Sequence, residues 1–159
     1  MKRKLYIETS VISYLTARPS KDIIIAGRQA STRNLWDNLH NFEPFISELV
    51  YNEACKGDEI AAKNRLDAFK ELPELDITKD CYSLAQSIIN DGAVPSQFPE
   101  DALHIAIGAV HNIDFIVTLN FKHINNPVTR ALIRKSVEKN GYQCPELCSP
   151  DELMGENDE

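Results

Sequence analysis

The sequence predicts an α/β protein in which helices cover both faces of a central, mostly parallel sheet of four or five strands. Short apolar segments with strand-like composition alternate with longer helical segments along nearly the whole chain. Capping residues, prolines and glycines mark the boundaries between them. Because parallel strands need long crossover connections, this alternation indicates a three-layer α/β/α arrangement.

The first half of the chain contains three short apolar segments that have the length of buried strands. They are Lys4–Ile7, Pro44–Ile46 and Leu75–Ile77. Capping residues and prolines set the bounds of the helices between them. These predicted helices span residues 22–39, 47–57 and 58–73.

The second half repeats the pattern, with helices predicted over 80–90, 99–111 and 127–140. Residues 114–118, which read Asp-Phe-Ile-Val-Thr, form the most strand-like segment because they are short, aromatic and β-branched. A last strand is expected over 142–147. Pro145 places that strand at an edge of the sheet, since proline donates no ladder hydrogen bond.

Length and composition indicate one ordinary globular domain, expected over residues 1–154 and followed by a disordered acidic tail, 155–159. The chain has 159 residues, of which 43% are hydrophobic and 26% charged. No apolar run approaches the roughly 18 residues of a membrane span. The basic N-terminus precedes only three apolar residues before Glu8, too few for a signal peptide. A cytoplasmic location is therefore expected.

Four cysteines are present, and without a secretory signal they are expected to be reduced. Cys144 and Cys148 lie four residues apart, but no nearby histidine or cysteine completes a zinc site. We interpret them as small buried apolar residues.

The net charge of −7 is unevenly distributed. Six of the 24 acidic residues lie between Glu146 and Glu159, which leaves 18 acids against 17 bases elsewhere. Between residues 120 and 140 there are five bases and one acid. Lys122, Arg130 and Arg134 are therefore candidates for binding a nucleic acid, although for any one of them alone a solvated helix surface is the simpler explanation.

Polar residues follow two of the predicted strands. Glu8 comes directly after the first strand, and Asn120 comes two residues after the strand at 114–118. Binding sites of open α/β sheets lie at the carboxyl ends of strands, so neighbouring strands would direct both side chains into one crevice. Thr9 and Ser10 offer hydroxyls that cap a turn or orient a carboxylate. Alternatively, Glu8 is a helix-start acid and Asn120 a turn residue.

Two further acids belong to predicted helices. Glu53 lies in the second turn after Ser47, where a surface role is the simpler explanation. Glu100 and Asp101 occupy the first turn of a helix that is apolar nearly all round, and such a helix is buried. His104 lies three residues after Asp101 and is interpreted as a structural histidine. Considered together, the acids and Asn120 predict a site for Mg²⁺ or Mn²⁺, which prefer oxygen ligands.

Several segments, in order, resemble those of PIN domains. Residues 5–12 resemble the opening strand and its Asp-Thr-Ser, 101–106 the central Asp-Ala motif and 115–124 the fourth-strand motif, while Glu53 stands at the second acid. Residues 149–153 resemble a C-terminal Thr-Pro-Glu-Glu-Leu. Many PIN proteins of this length are VapC-type toxins of bacterial toxin–antitoxin pairs, which are Mg²⁺- or Mn²⁺-dependent ribonucleases, often dimeric and silenced by an antitoxin.

The resemblance implies that Glu8, Glu53 and Asp101 are metal-site acids and that Asn120 completes the catalytic set. Supporting roles then fall to residues beside them in the motifs, namely Thr9, Ser10, Glu100 and Thr118. Two departures are present: Glu8 replaces the usual Asp, and Asn120 replaces the usual fourth acid. They leave open the alternative of a PIN-like module that binds RNA or a protein but barely cuts. A phosphatase is less favoured, because such enzymes usually need an Asp at the position of Glu8.

Overall fold

The computed structural model describes residues 1–155, in which five short strands form one sheet. The strands are β1 (Lys4–Ile7), β2 (Glu43–Ser47), β3 (Glu74–Leu75), β4 (Phe115–Val117) and β5 (Glu146–Cys148). Their order is β3-β2-β1-β4-β5, and every neighbouring pair is parallel. The prediction of an α/β fold with a mostly parallel sheet is confirmed. Of the predicted acidic tail, residues 156–159 lie outside the described residues.

Helices connect and flank the strands. They are α1 (Thr9–Thr16), α2 (Ile23–Asp37), α3 (Glu48–Ala54), α4 (Glu59–Phe69), α5 (Lys79–Asn90), α6 (Pro99–Val110), α7 (Pro127–Lys139) and α8 (Pro150–Met154). The side chains of Asp22, Ser47 and Asp58 accept hydrogen bonds from the first turns of α2, α3 and α4, as capping residues do. No helix within the described range is both long and apolar enough to cross a membrane.

The core lies around the two central strands, β1 and β4. Leu5, Tyr6, Ile7, Ile116 and Val117 are completely buried. Strands of a parallel sheet are covered on both faces, which explains why these segments are continuous apolar runs rather than alternating ones. Burying a side chain such as Leu or Ile stabilises the fold by roughly 1.5–3 kcal/mol.

The thiols of Cys144 and Cys148 are buried and free. Burial raises the pKa of Cys144 to about 11 and that of Cys148 to about 12. Their interpretation as small buried apolar residues is therefore confirmed.

Several elements differ from the sequence prediction, among them α8, where no helix was predicted. Helix α1 was not predicted, because Thr9, Val11 and Ile12 are β-branched and have weak helix propensity. Val11 and Ile12 are completely buried, so tertiary packing outweighs that propensity. Strand β3 begins one residue earlier than predicted and is only two residues long, and β5 overlaps only the end of the predicted segment 142–147 and extends to Cys148.

The topology creates a switch point between β1 and β4. From β1 the chain adds β2 and β3 on one side, whereas β4 and β5 lie on the other. The connections leaving β1 and β4 therefore diverge at the carboxyl edge of the sheet, the place where open α/β sheets bind ligands. Glu8 and Asn120 both follow strands that end at this edge.

Candidate metal centre

Glu8 lies at the carboxyl end of β1, and its side chain is held by hydroxyl groups from two directions. Its carboxylate caps α1 by accepting a hydrogen bond from the backbone N–H of Ser10 at 3.1 Å. The same carboxylate accepts from the hydroxyl of Ser10 and, at 2.6 Å, from that of Thr118. Glu8 is only 5% exposed. Its carboxylate is consequently both buried and fixed in direction.

Glu53 approaches the same place from α3. Its Oε1 accepts a hydrogen bond from the hydroxyl of Thr9 and lies 2.7 Å from Nε2 of His104. The Glu53 side chain is a quarter exposed, so it forms the solvent-facing wall of the cluster.

His104 from α6 completes this group and is 1% exposed. Its Nε2 lies 3.9 Å from Glu8 Oε2, in addition to its short contact with Glu53. One ligand atom from each of Glu8, Glu53 and His104 lies within 4.8 Å of the others. We call these three residues the buried cluster. Its spacing allows one divalent cation to contact all three side chains.

Asp101 belongs to a second group, together with Asn120 and His123, which we call the outer cluster. Asp101 Oδ1 accepts a hydrogen bond from Asn120 Nδ2 at 3.1 Å, and Asp101 Oδ2 lies 2.9 Å from His123 Nδ1. The ring of Phe98 stacks on that of His123 with centroids 4.0 Å apart. Both oxygens of Asp101 therefore already have partners.

Thr118 links the two clusters. Its hydroxyl donates to Glu8 at 2.6 Å and accepts from the backbone N–H of Asn120 at 3.0 Å. The charge of Glu8 also contributes to raising the pKa of Asp101. The two clusters are thus neighbouring parts of one acidic site at the switch point.

The pKa values of Glu53 and His104 reflect the ion pair between them. Burial raises the pKa of Glu53, but the hydrogen bond and charge of His104, with the Thr9 hydroxyl, outweigh burial and lower it overall. Burial lowers the pKa of His104, whereas the hydrogen bond to Glu53 and the charges of Glu8, Glu53 and Asp101 raise it overall. Both shifts favour a charged Glu53–His104 pair.

The pKa of Asp101 moves in the other direction. Burial raises it, and the hydrogen bonds from His123 and Asn120 only partly compensate. A nearby cation would relieve this unfavourable charge.

The three predicted basic residues do not lie together. Lys122 is exposed in the segment after β4, two residues from Asn120. Arg130 pairs with Glu152 at 3.2 Å, and Arg134 pairs with Glu146 at 2.9 Å. Because Glu146 is the first residue of β5, Arg134 lies toward the amino edge of the sheet, opposite Glu8.

Of the four predicted supporting residues, three contact the clusters and one does not. Thr9, Ser10 and Thr118 all donate to cluster carboxylates, whereas the Glu100 side chain is exposed and makes no hydrogen bond or ion pair within residues 1–155. Sequence reasoning interpreted His104 as structural and did not single out His123. Their spacing was a usable signal, since His104 follows Asp101 by three residues and His123 follows Asn120 by three.

No protein-family model and no curated protein matches the chain. Among solved structures it is similar to VapBC2 from Rickettsia felis bound to a DNA fragment from their promoter, with a TM-score of 0.59 and 16% identity over 93% of this chain and 99% of that one. A tyrosyl-tRNA synthetase from Archaeoglobus fulgidus complexed with L-tyrosine is more distant, with a TM-score of 0.46 and 11% identity over 92% and 55% of the two chains. The first likeness confirms, at the level of the fold, the resemblance to VapC-type PIN domains that the sequence motifs indicated.

Proposed function

We propose that this protein is a metal-dependent ribonuclease of a toxin–antitoxin pair, which hydrolyses RNA phosphodiester bonds at the carboxyl edge of its sheet. The observation that supports this proposal most directly is the convergence of Glu8 and Glu53 at the switch point. Their carboxylates come from different elements and lie within reach of a single cation. Asp101 stands beside them and carries a charge that burial disfavours.

The donor set fits Mg²⁺ or Mn²⁺, because carboxylate oxygens are the ligands that both ions accept. A divalent cation at such a site polarises a phosphodiester and stabilises the charge that develops on the leaving oxygen. Glu8 and Glu53 would hold the cation, with Asp101 adding charge from the outer cluster. The hydroxyls of Ser10 and Thr118 fix the direction of the Glu8 carboxylate before any ligand arrives.

The remaining residues of the crevice would bind and orient RNA. Lys122 would contact a phosphate next to the site, since its side chain is exposed in the segment after β4. Asn120 keeps its amide between Asp101 and the backbone of His123 and so maintains the shape of the outer cluster.

A protein partner fits the surface of α2. Ile23 and Ile24 are 88% and 66% exposed, and Ile25 next to them is 38% exposed. Adjacent exposed apolar residues of this size are typical of contact surfaces between proteins. Together with the likeness to VapBC2, they support an antitoxin as the partner in the cytoplasm. A homodimer, expected from the resemblance, belongs to the same proposal.

A second candidate function is a PIN-like module that binds RNA or a protein with little cleavage. Two observations favour it: Asn120 brings no charge to the fourth position, and both oxygens of Asp101 are occupied by hydrogen bonds. The cleavage assay separates the two candidates.

The proposal is tested with purified protein, a labelled RNA of mixed sequence, and either Mn²⁺ or a chelator. We expect cleavage by wild type only with Mn²⁺, loss of cleavage in Asp101→Asn, and unchanged cleavage in the control Asp67→Asn, which alters an exposed acid of α4. Induction in bacteria should halt growth for wild type and not for Asp101→Asn. Equal trace rates for wild type and Asp101→Asn would indicate a contaminant and overturn the nuclease proposal.

A further inference from the structure

A run of buried hydrogen bonds ends at the ring of His104. The Ser47 hydroxyl accepts from the backbone N–H of Val50 at 3.2 Å and lies 2.8 Å from the Tyr6 hydroxyl. The Tyr6 hydroxyl in turn lies 2.7 Å from Nδ1 of His104. Ser47, Tyr6 and His104 are at most 1% exposed. The ring is thereby held on its Nδ1 side, with Nε2 directed at Glu53 and Glu8.

Once His104 is neutral, as metal binding requires, the hydroxyl of Tyr6 supports two positions for the remaining ring proton, because a phenol can either donate or accept. In one, Tyr6 donates to Nδ1, and Nε2–H donates to Glu53. In the other, Nδ1–H donates to Tyr6, and Nε2 directs a lone pair at Glu8 and Glu53. A bare nitrogen 2.7 Å from a carboxylate oxygen is repulsive unless a cation lies against both. The second arrangement is therefore the one that suits a bound metal.

We infer that His104 is a direct ligand of the divalent cation through Nε2, together with Glu8 and Glu53, and that Tyr6 is the residue that positions its ring. The inference rests on the metal centre of the proposed function and adds a nitrogen ligand to it. It also assigns the first metal contacts to the buried cluster, with Asp101 in a neighbouring role.

The distances agree with a shared cation. Metal–ligand bonds of about 2.1 Å at right angles place ligand atoms about 3 Å apart. Nε2 of His104 lies 2.7 Å from Glu53 and 3.9 Å from Glu8, so adjustments of less than about 1 Å bring all three into range. Metal-binding histidines generally have their second nitrogen fixed by a hydrogen bond, which is the part that Tyr6 plays.

A nitrogen ligand changes the preferred metal. Mg²⁺ favours oxygen ligands, whereas imidazole suits transition metals, so a site with His104 should prefer Mn²⁺ to Mg²⁺. We expect wild type to bind Mn²⁺ at least about tenfold more tightly than Mg²⁺. That ratio should fall in His104→Gln, which supplies an amide oxygen in place of the nitrogen.

The inference is tested by pulsed electron paramagnetic resonance of Mn²⁺ bound to the full chain, which detects a directly coordinated nitrogen. We expect a nitrogen coupling in wild type, its loss in His104→Gln and its retention in His123→Gln. Calorimetric titration should show Mn²⁺ affinity lowered roughly 10- to 100-fold by His104→Gln, and lowered less by Tyr6→Phe. His40→Gln, which changes an exposed histidine, is the matched control and should bind as wild type does.

A structural role for His104 predicts a different result. If Mn²⁺ binds to wild type without nitrogen coupling, the inference is overturned, while metal-dependent cleavage and the proposed function still stand. If Mn²⁺ neither binds nor supports cleavage, both are overturned. Should His104→Gln fail to fold, the spectra of wild type and His123→Gln still decide: a coupling that survives in His123→Gln supports His104, and absence of any coupling contradicts it.

Discussion

Two acid–histidine pairs lie at the carboxyl edge of the same sheet: Glu53 with His104, and Asp101 with His123. The first pair includes a ring that is 1% exposed, and the second a ring that is 15% exposed. Burial raises the pKa of both acids, yet the pKa of Glu53 is lowered overall and that of Asp101 is raised overall. Since burial acts in the same direction on both acids, the opposite net shifts of their pKa values come from the groups that surround each carboxylate.

For Glu53, the hydrogen bond and charge of His104 and the hydroxyl of Thr9 more than offset burial. For Asp101, hydrogen bonds from His123 and Asn120 do not, and the nearby charge of Glu8 adds to the penalty. Glu53 therefore stabilises the folded protein as an anion, whereas anionic Asp101 is tolerated at a cost. Ionisable groups whose charged form is disfavoured in this way are often found at functional sites.

The largest expected effect is an opposite response of stability to two isosteric substitutions. Glu53→Gln should lower the unfolding free energy by roughly 1–2 kcal/mol, because a charged hydrogen-bond partner of a buried histidine becomes neutral. Asp101→Asn should leave it unchanged or raise it, because an unfavourable buried charge is removed. Denaturant unfolding with a chelator present measures both. Equal losses would show that the two pairs are energetically alike.

A smaller effect is expected from Asn120→Asp, which places a second carboxylate against Asp101. Without metal, the variant should be less stable by about 1 kcal/mol, because a hydrogen bond becomes a repulsion between like charges. With saturating Mn²⁺ the variant should gain more in melting temperature than wild type does, since the added charge attracts the cation. If Mn²⁺ raises the melting temperature of the variant and of wild type by the same amount, the outer cluster does not contribute to metal binding.

The pH dependence of the unfolding free energy without metal reports on the Glu53–His104 pair. Glu53 has a lowered pKa, so its contribution is present above its ordinary pKa of 4.5 and is lost as the pH falls through the lowered value. His104 has a raised pKa, so its contribution is present below its ordinary pKa of 6.5 and is lost as the pH rises through the raised value. The pair should stabilise wild type most between pH 4.5 and 6.5. In Glu53→Gln, the fall in unfolding free energy above pH 6.5 should be smaller than in wild type.

The smallest effect concerns RNA binding. Lys122→Ala should reduce the slope of log affinity against log salt by roughly 0.7, the value for one phosphate contact with a single strand. The Arg130→Ala/Arg134→Ala double variant should reduce it by less per residue, because acids already neutralise both arginines. Affinity for an uncleavable RNA is the measurement. A reduction near 1.4 in the double variant would place the RNA along α7, as the sequence alone suggested.

The frame of the site could be predicted from the sequence because it depends on local signals. A buried apolar run followed by Glu8 identifies the end of a central strand, and Pro99 before Asp101 identifies a helix start. Parallel pairing then brings the ends of β1 and β4 together, whatever the details of packing.

The pairing of side chains within the site could not be predicted, because it depends on contacts between distant parts of the chain. Tyr6 and His104 are 98 residues apart, and their hydrogen bond follows from the packing of α6 against the sheet. The same holds for Arg130 and Arg134, whose charges looked free in the sequence until the C-terminal acids were placed beside them.

The location of the cation is the most direct test of a metal site shared by Glu8 and Glu53. Crystals of the wild-type protein soaked in Mn²⁺ and measured near the manganese absorption edge reveal it as an anomalous difference peak. We expect a peak between Glu8 and Glu53, within about 2.6 Å of a carboxylate oxygen of each. A peak found only elsewhere, or none at saturating Mn²⁺, would contradict the shared metal site.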